Sequence, residues 1–71
     1  QQGSAVVFNA ANEVAVAAFL ARQIRFDQIY ALNAETLQQT HFASPATLQD
    51  LIALDTQARA VATSIVQGWK H

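Results

Sequence analysis

The sequence AANEVAVAAFLA at residues 10–21 is apolar at every position except Asn12 and Glu13. Its alanines favour helix and are small enough to let neighbouring helices approach closely. On a helix of 3.6 residues per turn, these apolar residues cover nearly the whole circumference. Such a pattern is typical of a helix at the centre of a fold, buried on all sides.

We expect this first helix to run from near Ala10 to about Arg22. Asn9 is a suitable N-cap, because its side chain can accept a hydrogen bond from a free backbone N–H. Glu13 would then lie in the first turn, where the positive end of the helix dipole favours a carboxylate. The sequence leaves open whether residues 5–8 extend this helix or enter it as coil.

A second helix is predicted from Phe26 to about Gln39, with Asp27 in its first turn. Its apolar residues are spaced as one helical stripe, with Asn33 inside it. The members of the stripe are Phe26, Ile29, Tyr30, Leu32 and Leu37. The link at residues 23–25 is short, so the first two helices should be close neighbours.

Residues 41–46 break the helical pattern, and Ser44-Pro45 marks a turn or a helix start. Thr47 and Asp50 have the spacing of a capping box, which predicts that a third helix begins beside them. Proline suits the first helical position because it needs no N–H there.

The third helix is expected to continue to about Gln67, with Gly68 as a suitable terminator. Its apolar spacings of three and four residues fit one amphipathic helix, interrupted by Asp55, where a kink or a new cap is an open alternative. The stripe consists of Leu48, Leu51, Ile52, Ala58, Val61, Ala62, Ile65, Val66 and Trp69. The sequence thus predicts an all-α fold, a small bundle of about three helices.

The chain is short and has no cysteine. A chain of 71 residues buries only about 60% of the surface that it exposes when unfolded, so its core is marginal. Its 52% hydrophobic content is nevertheless too high for a disordered segment. We expect a partner, an oligomer or a parent chain to supply the missing stability. The first residue is Gln1 and not Met, so we expect the chain to be cut from a longer protein.

Charge and apolar runs argue against two classes of partner. With 13% charged residues and a net charge of −1, the sequence offers no basic surface for nucleic acid. The longest uninterrupted apolar run, residues 14–21, is far shorter than the roughly 20 residues that span a membrane. We therefore expect neither nucleic acid nor a membrane as a partner, and we expect a cytoplasmic protein, with which the absence of cysteine is compatible.

No catalytic constellation is found. Gly3 and Gly68 are the only glycines, so a glycine-rich phosphate loop is excluded. His41 and His71 have no carboxylates at metal-ligand spacing, and we expect no metal site. No serine lies in a nucleophile elbow. The serines are Ser4, Ser44 and Ser64.

The carboxylates have structural explanations. Glu13, Asp27 and Asp50 each lie near a predicted helix N-terminus, where a negative charge contributes about 0.3–1 kcal/mol. Asp55 and Arg59 form an i,i+4 pair with the acid first, which is typical of an ion pair on a helix surface.

Two groups of residues allow a functional interpretation. Asn12 and Glu13 either face a ligand or tie the helix start to a neighbouring loop, and we favour the second because no other catalytic group is near them. The aromatic residues suit either a binding stripe or the core, and their helical spacing favours the core. They are Phe8, Phe19, Phe26, Tyr30, Phe42 and Trp69.

Residues 9–20, NAANEVAVAAFL, resemble the characteristic run in the C-terminal domain of the 1-deoxy-D-xylulose 5-phosphate reductoisomerase family. Further segments resemble the family in the same order. They are RQIRF at 22–26 with Ile29, LQDL at 48–51 and DTQAR at 55–59. Residues 38–46 and 61–71 depart from the family's pattern apart from the helical spacing at the end.

The resemblance implies an NADPH-dependent enzyme that also needs a divalent metal, Mg or Mn. The family converts 1-deoxy-D-xylulose 5-phosphate to 2-C-methyl-D-erythritol 4-phosphate in isoprenoid precursor synthesis. It has a nucleotide-binding, a catalytic and a C-terminal helical domain, and residues 1–71 resemble only the last, as an incomplete four-helix-bundle-like domain. We therefore carry over no catalytic, cofactor-binding or metal-ligating residue, and expect the fragment itself to be non-catalytic.

The resemblance also implies partners. The rest of the parent chain is one, and the full-length enzyme is expected to be a homodimer. Because the family has helical sequence before the NAANE run that this chain largely lacks, we expect the fragment to self-associate and cover the open side of its first helix. The alternative function is an independent helical module that offers a groove to a partner helix.

Overall fold

Three helices make up most of the structure, a computed structural model that describes residues 2–69. Helix α1 comprises Gln2–Leu20, α2 comprises Asp27–Gln39 and α3 comprises Leu48–Gly68. Residues 2–69 contain no strand, so the predicted all-α fold with three helices is confirmed. The bounds of α2 and α3 agree with the prediction to within a residue or so.

Helices α1 and α3 lie side by side and run parallel, while the short first link returns α2 antiparallel to them. Near the start of α1, Val7 packs in one cluster with Leu54 and Ala58 of α3. Near its end, Ala18 packs in a second cluster with Val66, further along α3. Because α1 contacts both other helices more extensively than they contact each other, it is the central helix of the bundle.

Small side chains allow α1 and α3 to approach closely. Ala10, Ala11 and Ala15 of α1 have no exposed surface, and neither have Ala58 and Ala62 of α3. The distance between packed helices depends on the side chains at the contact, and alanine gives the short end of the usual range of about 8–10 Å. A larger residue at these positions would push the two helices apart.

Helix α1 begins well before the predicted start near Ala10. Asn9 is therefore an exposed residue inside the helix and not its N-cap, and Glu13 lies in the middle of the helix and not in its first turn. The reason is tertiary packing. Gly3 and Val7 follow the same helical face as Ala10 and are buried with it, which continues the helix through the segment that the sequence left open.

One side of α1 is uncovered, as expected from the resemblance and unlike the helix buried on all sides that the apolar pattern alone predicts. Leu20 is 72% exposed, and Phe8 and Val16 are exposed as well. By length and composition, Gly3–Leu20 is apolar enough to cross a membrane, although its longest uninterrupted apolar run is shorter than a membrane span. A core helix passes the same test, and α1 supplies much of the core here.

Helix α1 ends in a turn of the Schellman type around Arg22. The Gln23 N–H donates to the Ala18 carbonyl at 2.8 Å, and the Arg22 N–H donates to the Phe19 carbonyl at 3.0 Å. Arg22 has a φ of 62°, the left-handed region in which glycine is the usual residue because it has no Cβ. It is the only non-glycine residue with positive φ in the described part of the chain.

Helix α2 buries only part of the predicted stripe, in which Leu32 and Asn33 are buried and Ile29 packs against the core. Its buried residues are Leu32, Asn33 and Thr36. Phe26 and Tyr30, expected in the buried stripe, are 73% and 79% exposed. The space beside α1 is narrow because its alanines draw the helices together, so these rings lie at the rim, where Phe26 packs edge-on against Phe19 with 5.6 Å between ring centroids.

The capping box predicted at the start of α3 is confirmed. The Thr47 hydroxyl accepts a hydrogen bond from the Asp50 N–H at 3.0 Å. In return, the Asp50 carboxylate accepts from the Ala46 and Thr47 N–H groups at 3.0 and 3.2 Å. These bonds, that from Ala46 above all, hold the pKa of Asp50 below its usual value.

Acid should weaken this cap. A carboxyl group whose pKa is lowered by folding stabilises the folded state above its ordinary pKa of about 3.9, and that contribution is lost as the pH falls through the lowered value. Asp50→Asn should therefore be less stable than the parent sequence at neutral pH, and the two should converge as the pH falls from about 3.9 through the lowered pKa. Urea unfolding at a series of pH values measures this, and a pH-independent difference would contradict it.

The remainder of α3 departs from the prediction in three details. The helix continues without a break past Asp55, so the kink or new cap considered there is not formed. Pro45 lies in the extended link before the N-cap and not at the first helical position. Gly68 is the last helical residue but has no positive φ, and Trp69 caps the helix end instead.

The buried face of α3 is also only partly the predicted one. Leu48 and Ile52 are 71% and 58% exposed. The buried residues are Leu54, Ala58, Ala62, Ile65 and Val66.

In the link before α3, the Phe42 ring lies so close to Gly3 that a Cβ on that glycine would not fit without displacing the ring.

Candidate functional site

Asn12 of α1 and Asn33 of α2 form a polar contact in an otherwise apolar interface. The Asn33 Nδ2 donates to Asn12 Oδ1 at 3.1 Å, and Asn33 is buried. The favoured interpretation, in which Asn12 ties the helix start to a loop, was wrong, because its partner lies on another helix. A partly buried amide pair favours one alignment of two helices, since a slipped register would break this hydrogen bond.

Two buried oxygen atoms on α2 have no hydrogen-bond partner within residues 2–69. They are Asn33 Oδ1 and Thr36 Oγ1. Residues three apart lie on the same side of a helix, so both oxygens belong to the side that carries the amide pair. An unsatisfied buried polar group costs about 1–3 kcal/mol. Packing of α2 is therefore less favourable than its buried apolar area alone would indicate.

Glu13 joins the predicted Asp55–Arg59 pair, which the structure confirms. Arg59 Nε donates to Asp55 Oδ1 at 2.5 Å, and Arg59 Nη2 donates to Glu13 Oε1 at 2.8 Å. The hydrogen bonds from Arg59 to Asp55 and then to Glu13 raise the pKa of this guanidinium further above its usual value. Glu13 thus connects α1 to α3 and not to a loop.

The Glu13–Arg59 ion pair should contribute little to stability. The two side chains are 56% and 40% exposed, and exposed pairs contribute about 0.2–1 kcal/mol. A double-mutant cycle of Glu13→Gln and Arg59→Gln in urea should give a coupling within that range. The matched control is the cycle for Arg25 and Asp27, 73% and 72% exposed, whose coupling should be smaller still. A Glu13–Arg59 coupling above about 2 kcal/mol would contradict this.

The described residues bring no reactive set of side chains together. His41 is exposed in the link between α2 and α3, and its carbonyl accepts a hydrogen bond from Gln57 at 3.3 Å. Within residues 2–69, no group of three or more histidine, cysteine or acidic side chains could hold a metal ion. His71 lies outside the described residues. Of the polar contacts described above, Asn12–Asn33 and Glu13–Arg59 join one helix to another.

An open cleft of about 570 Å³ lies where α1 ends, α2 begins and α3 ends. We call it the end cleft; Phe19, Leu20, Arg22, Gln23, Arg25 and Trp69 line it together with Ile24 and Gln28. The helical spacing of the aromatic residues predicted that they lie in the core, and residues 23–25 were predicted to be a short link, so this cleft was not predicted from the sequence. The available signal was a pair of arginines set between aromatic residues in RQIRF at 22–26.

Comparison with known proteins gives a consistent result. Residues 1–61 match the family described as DXP reductoisomerase C-terminal domain. The chain is 47% identical over 64 residues to 1-deoxy-D-xylulose 5-phosphate reductoisomerase of Cellvibrio japonicus, a match that covers 90% of this chain and 16% of that protein. It is 45% identical over 72 residues to the reductoisomerase of Treponema pallidum, covering 100% of this chain and 19% of that protein.

A third relative, from Buchnera aphidicola, is 42% identical over 65 residues, 92% of this chain and 16% of the relative. The chain thus spans less than a fifth of the length of these relatives. The resemblance first noticed in the NAANEVAVAAFL run therefore extends over most of the chain. The chain belongs to the family of DXP reductoisomerase C-terminal domains.

Proposed function

We propose that this chain is the helical C-terminal part of a reductoisomerase that acts on 1-deoxy-D-xylulose 5-phosphate. The observation that carries the proposal is the 42–47% identity to proteins of that name over at least 90% of the chain. The product would be 2-C-methyl-D-erythritol 4-phosphate, and the enzyme would work in the cytoplasm in isoprenoid precursor synthesis.

The cofactors of the proposed reaction are NADPH and a divalent metal, and this chain's residues do not fit either of them. The donor set for a metal is absent from residues 2–69. The two glycines, Gly3 and Gly68, cannot form a phosphate-binding loop. Both cofactors would therefore bind elsewhere in the parent enzyme. We assign no step of the reaction to this chain, whose role is to support the architecture of the catalytic part.

A pair of assays tests this assignment. The parent polypeptide, expressed from the gene that encodes this chain, should oxidise NADPH when 1-deoxy-D-xylulose 5-phosphate and Mg²⁺ or Mn²⁺ are added. The isolated chain should give no turnover. Turnover by the isolated chain would overturn the structural role, and an inactive but folded parent would overturn the proposed reaction.

A substitution in the parent separates structural support from chemistry. Leu32→Ala removes buried atoms of this domain without touching a polar group. If the domain only supports the enzyme, Tm should fall while kcat per folded molecule and KM stay within about twofold. An unchanged Tm with a large loss of kcat would place this domain in the chemistry and contradict the proposal.

We also propose that the isolated chain self-associates and that the full-length enzyme is a homodimer. The exposed apolar side chains of α1, Leu20 at 72%, Phe8 at 49% and Val16 at 38%, support self-association of the fragment. Sedimentation should give a mass above 7.7 kDa at high micromolar concentration, and Phe8→Glu, which lies outside the end cleft, should restore the monomer. A monomer of the parent sequence at that concentration would contradict the first proposal, and a monomeric full-length enzyme would contradict the second.

An immunoblot of the source cell distinguishes the enzyme from the alternative of an independent interaction module. An antibody raised against this chain should detect a band several times heavier than 7.7 kDa. A band at 7.7 kDa itself would favour the independent module.

A further inference from the structure

The end cleft is lined by both apolar and cationic side chains. Phe19 and Trp69 are half-buried beside it, and Leu20 is 72% exposed. Arg22 and Arg25 also line it. The chain as a whole carries a net charge of −1, so the positive charge of these two arginines is opposite in sign to the net charge of the chain. The volume of the cleft, about 570 Å³, lies within the range of ordinary ligand sites.

Arg22 occupies a position that does not suit an arginine. With φ at 62°, it takes the place at which helices usually carry glycine, and a side chain there costs about 1 kcal/mol or more. The negative end of the α1 dipole favours a cation nearby by about 0.3–1 kcal/mol, which offsets this cost only in part. A backbone outlier of this kind points to a role for the side chain.

The two guanidinium groups at the cleft have N–H donors that make no hydrogen bond within the described residues. The Arg22 side chain is exposed and has no hydrogen-bond or ion-pair partner in the described part of the chain. Arg25 donates only its Nε to Asp27, at 3.1 Å, which leaves its terminal N–H groups available. Two guanidinium groups with available N–H donors suit the planar oxygens of carboxylates.

We propose that the end cleft binds an acidic peptide segment, with glutamate or aspartate on Arg22 and Arg25 and an apolar side chain between Phe19 and Trp69. The positive charges of Arg22 and Arg25 favour an acidic segment, and the apolar side chains of the cleft favour an apolar residue within that segment. A free phosphate is disfavoured because Asp27 already occupies the first turn of α2 and the Arg25 N–H is bonded to the Gln28 side chain at 2.7 Å. A basic or purely apolar segment would leave the Arg22 guanidinium unpaired and the terminal N–H groups of Arg25 unused.

Trp69, the single tryptophan, reports binding directly because it lines the cleft. The probe is the peptide acetyl-Glu-Glu-Leu-Glu-Glu-amide, titrated into the 71-residue chain at low salt while its tryptophan fluorescence is recorded. The glutamine counterpart, acetyl-Gln-Gln-Leu-Gln-Gln-amide, and inorganic phosphate are titrated in parallel. The acidic peptide should give a saturable change that weakens with added salt, and the glutamine peptide should bind at least tenfold more weakly. Equal binding of both peptides, or an equal response to phosphate, would overturn the proposal.

Two substitutions at Arg22 remove the guanidinium without disturbing the turn. Arg22→Gly and Arg22→Asn both tolerate a positive φ, so Tm should stay the same or rise. Each should weaken binding of the acidic peptide about tenfold or more. The matched control is Gln49→Glu, which changes the net charge by the same unit at the exposed start of α3, at the other end of the bundle. It should bind like the parent sequence. Undiminished binding by either Arg22 variant would overturn the proposal, and so would an equal loss in Gln49→Glu.

Discussion

Leu32→Ala is expected to lower the free energy of unfolding of this chain by about 2–5 kcal/mol. Leu32 has no exposed surface and is the largest fully buried side chain among the described residues. Its truncation leaves a cavity that the surrounding helices close only partly. Small domains are stable by only about 5–15 kcal/mol, and often less at this size, so the variant should be close to unfolding at room temperature. Urea denaturation followed by far-UV circular dichroism measures the loss.

Leu48→Ala is the matched control, because it removes the same atoms from a side chain that is 71% exposed. Its loss should be within about 0.5 kcal/mol, as is usual at surface positions. If the two substitutions destabilised the chain equally, Leu32 would not be the centre of the packing described above.

Ala62→Leu should be about as damaging, for the opposite reason. Ala62 is fully buried among Ala11, Ala15 and Val66, so the added methylene groups find no space. Overpacking of a close-packed core costs about 1–3 kcal/mol, and more where the backbone cannot move. Here the backbone of α3 would have to move away from α1, which would also loosen the Glu13–Arg59 contact. We expect a marked loss of Tm and a gain in fluorescence of a dye that binds exposed apolar surface.

Ala60→Leu provides the comparison on the same helix, since Ala60 is exposed. Leucine has nearly the helix propensity of alanine, so this variant should keep the parent Tm within a few degrees. Equal effects at positions 60 and 62 would indicate that helix propensity, and not the close approach of α1 and α3, governs stability.

The sequence predicted the number of helices, the start of α3 and the Asp55–Arg59 pair because each depends on residues close together in the chain. The capping box requires only Thr47 and Asp50. The start of α1 was missed because local preference favours Asn9 as a cap, whereas burial of Gly3 and Val7 against distant residues decides the outcome.

The surface features were harder to predict. Helical spacing placed Phe26 and Tyr30 in a buried stripe, but spacing identifies a face and not the space available beside it. That space is set by the alanines of α1, which lie on another element. The contacts of Asn12 with Asn33 and of Glu13 with Arg59 join residues 21 and 46 positions apart, beyond the reach of local pattern.

The parallel pairing of α1 with α3 sets the order in which the chain can fold. The contact between α1 and α2 closes a loop of about half the length of the loop closed by Glu13 and Arg59. Each doubling of loop length adds about 0.6 kcal/mol of closure entropy, so the α1–α2 hairpin should form first and α3 should dock afterwards. Substitutions in α2 should then slow refolding, whereas Ala62→Leu should mainly accelerate unfolding.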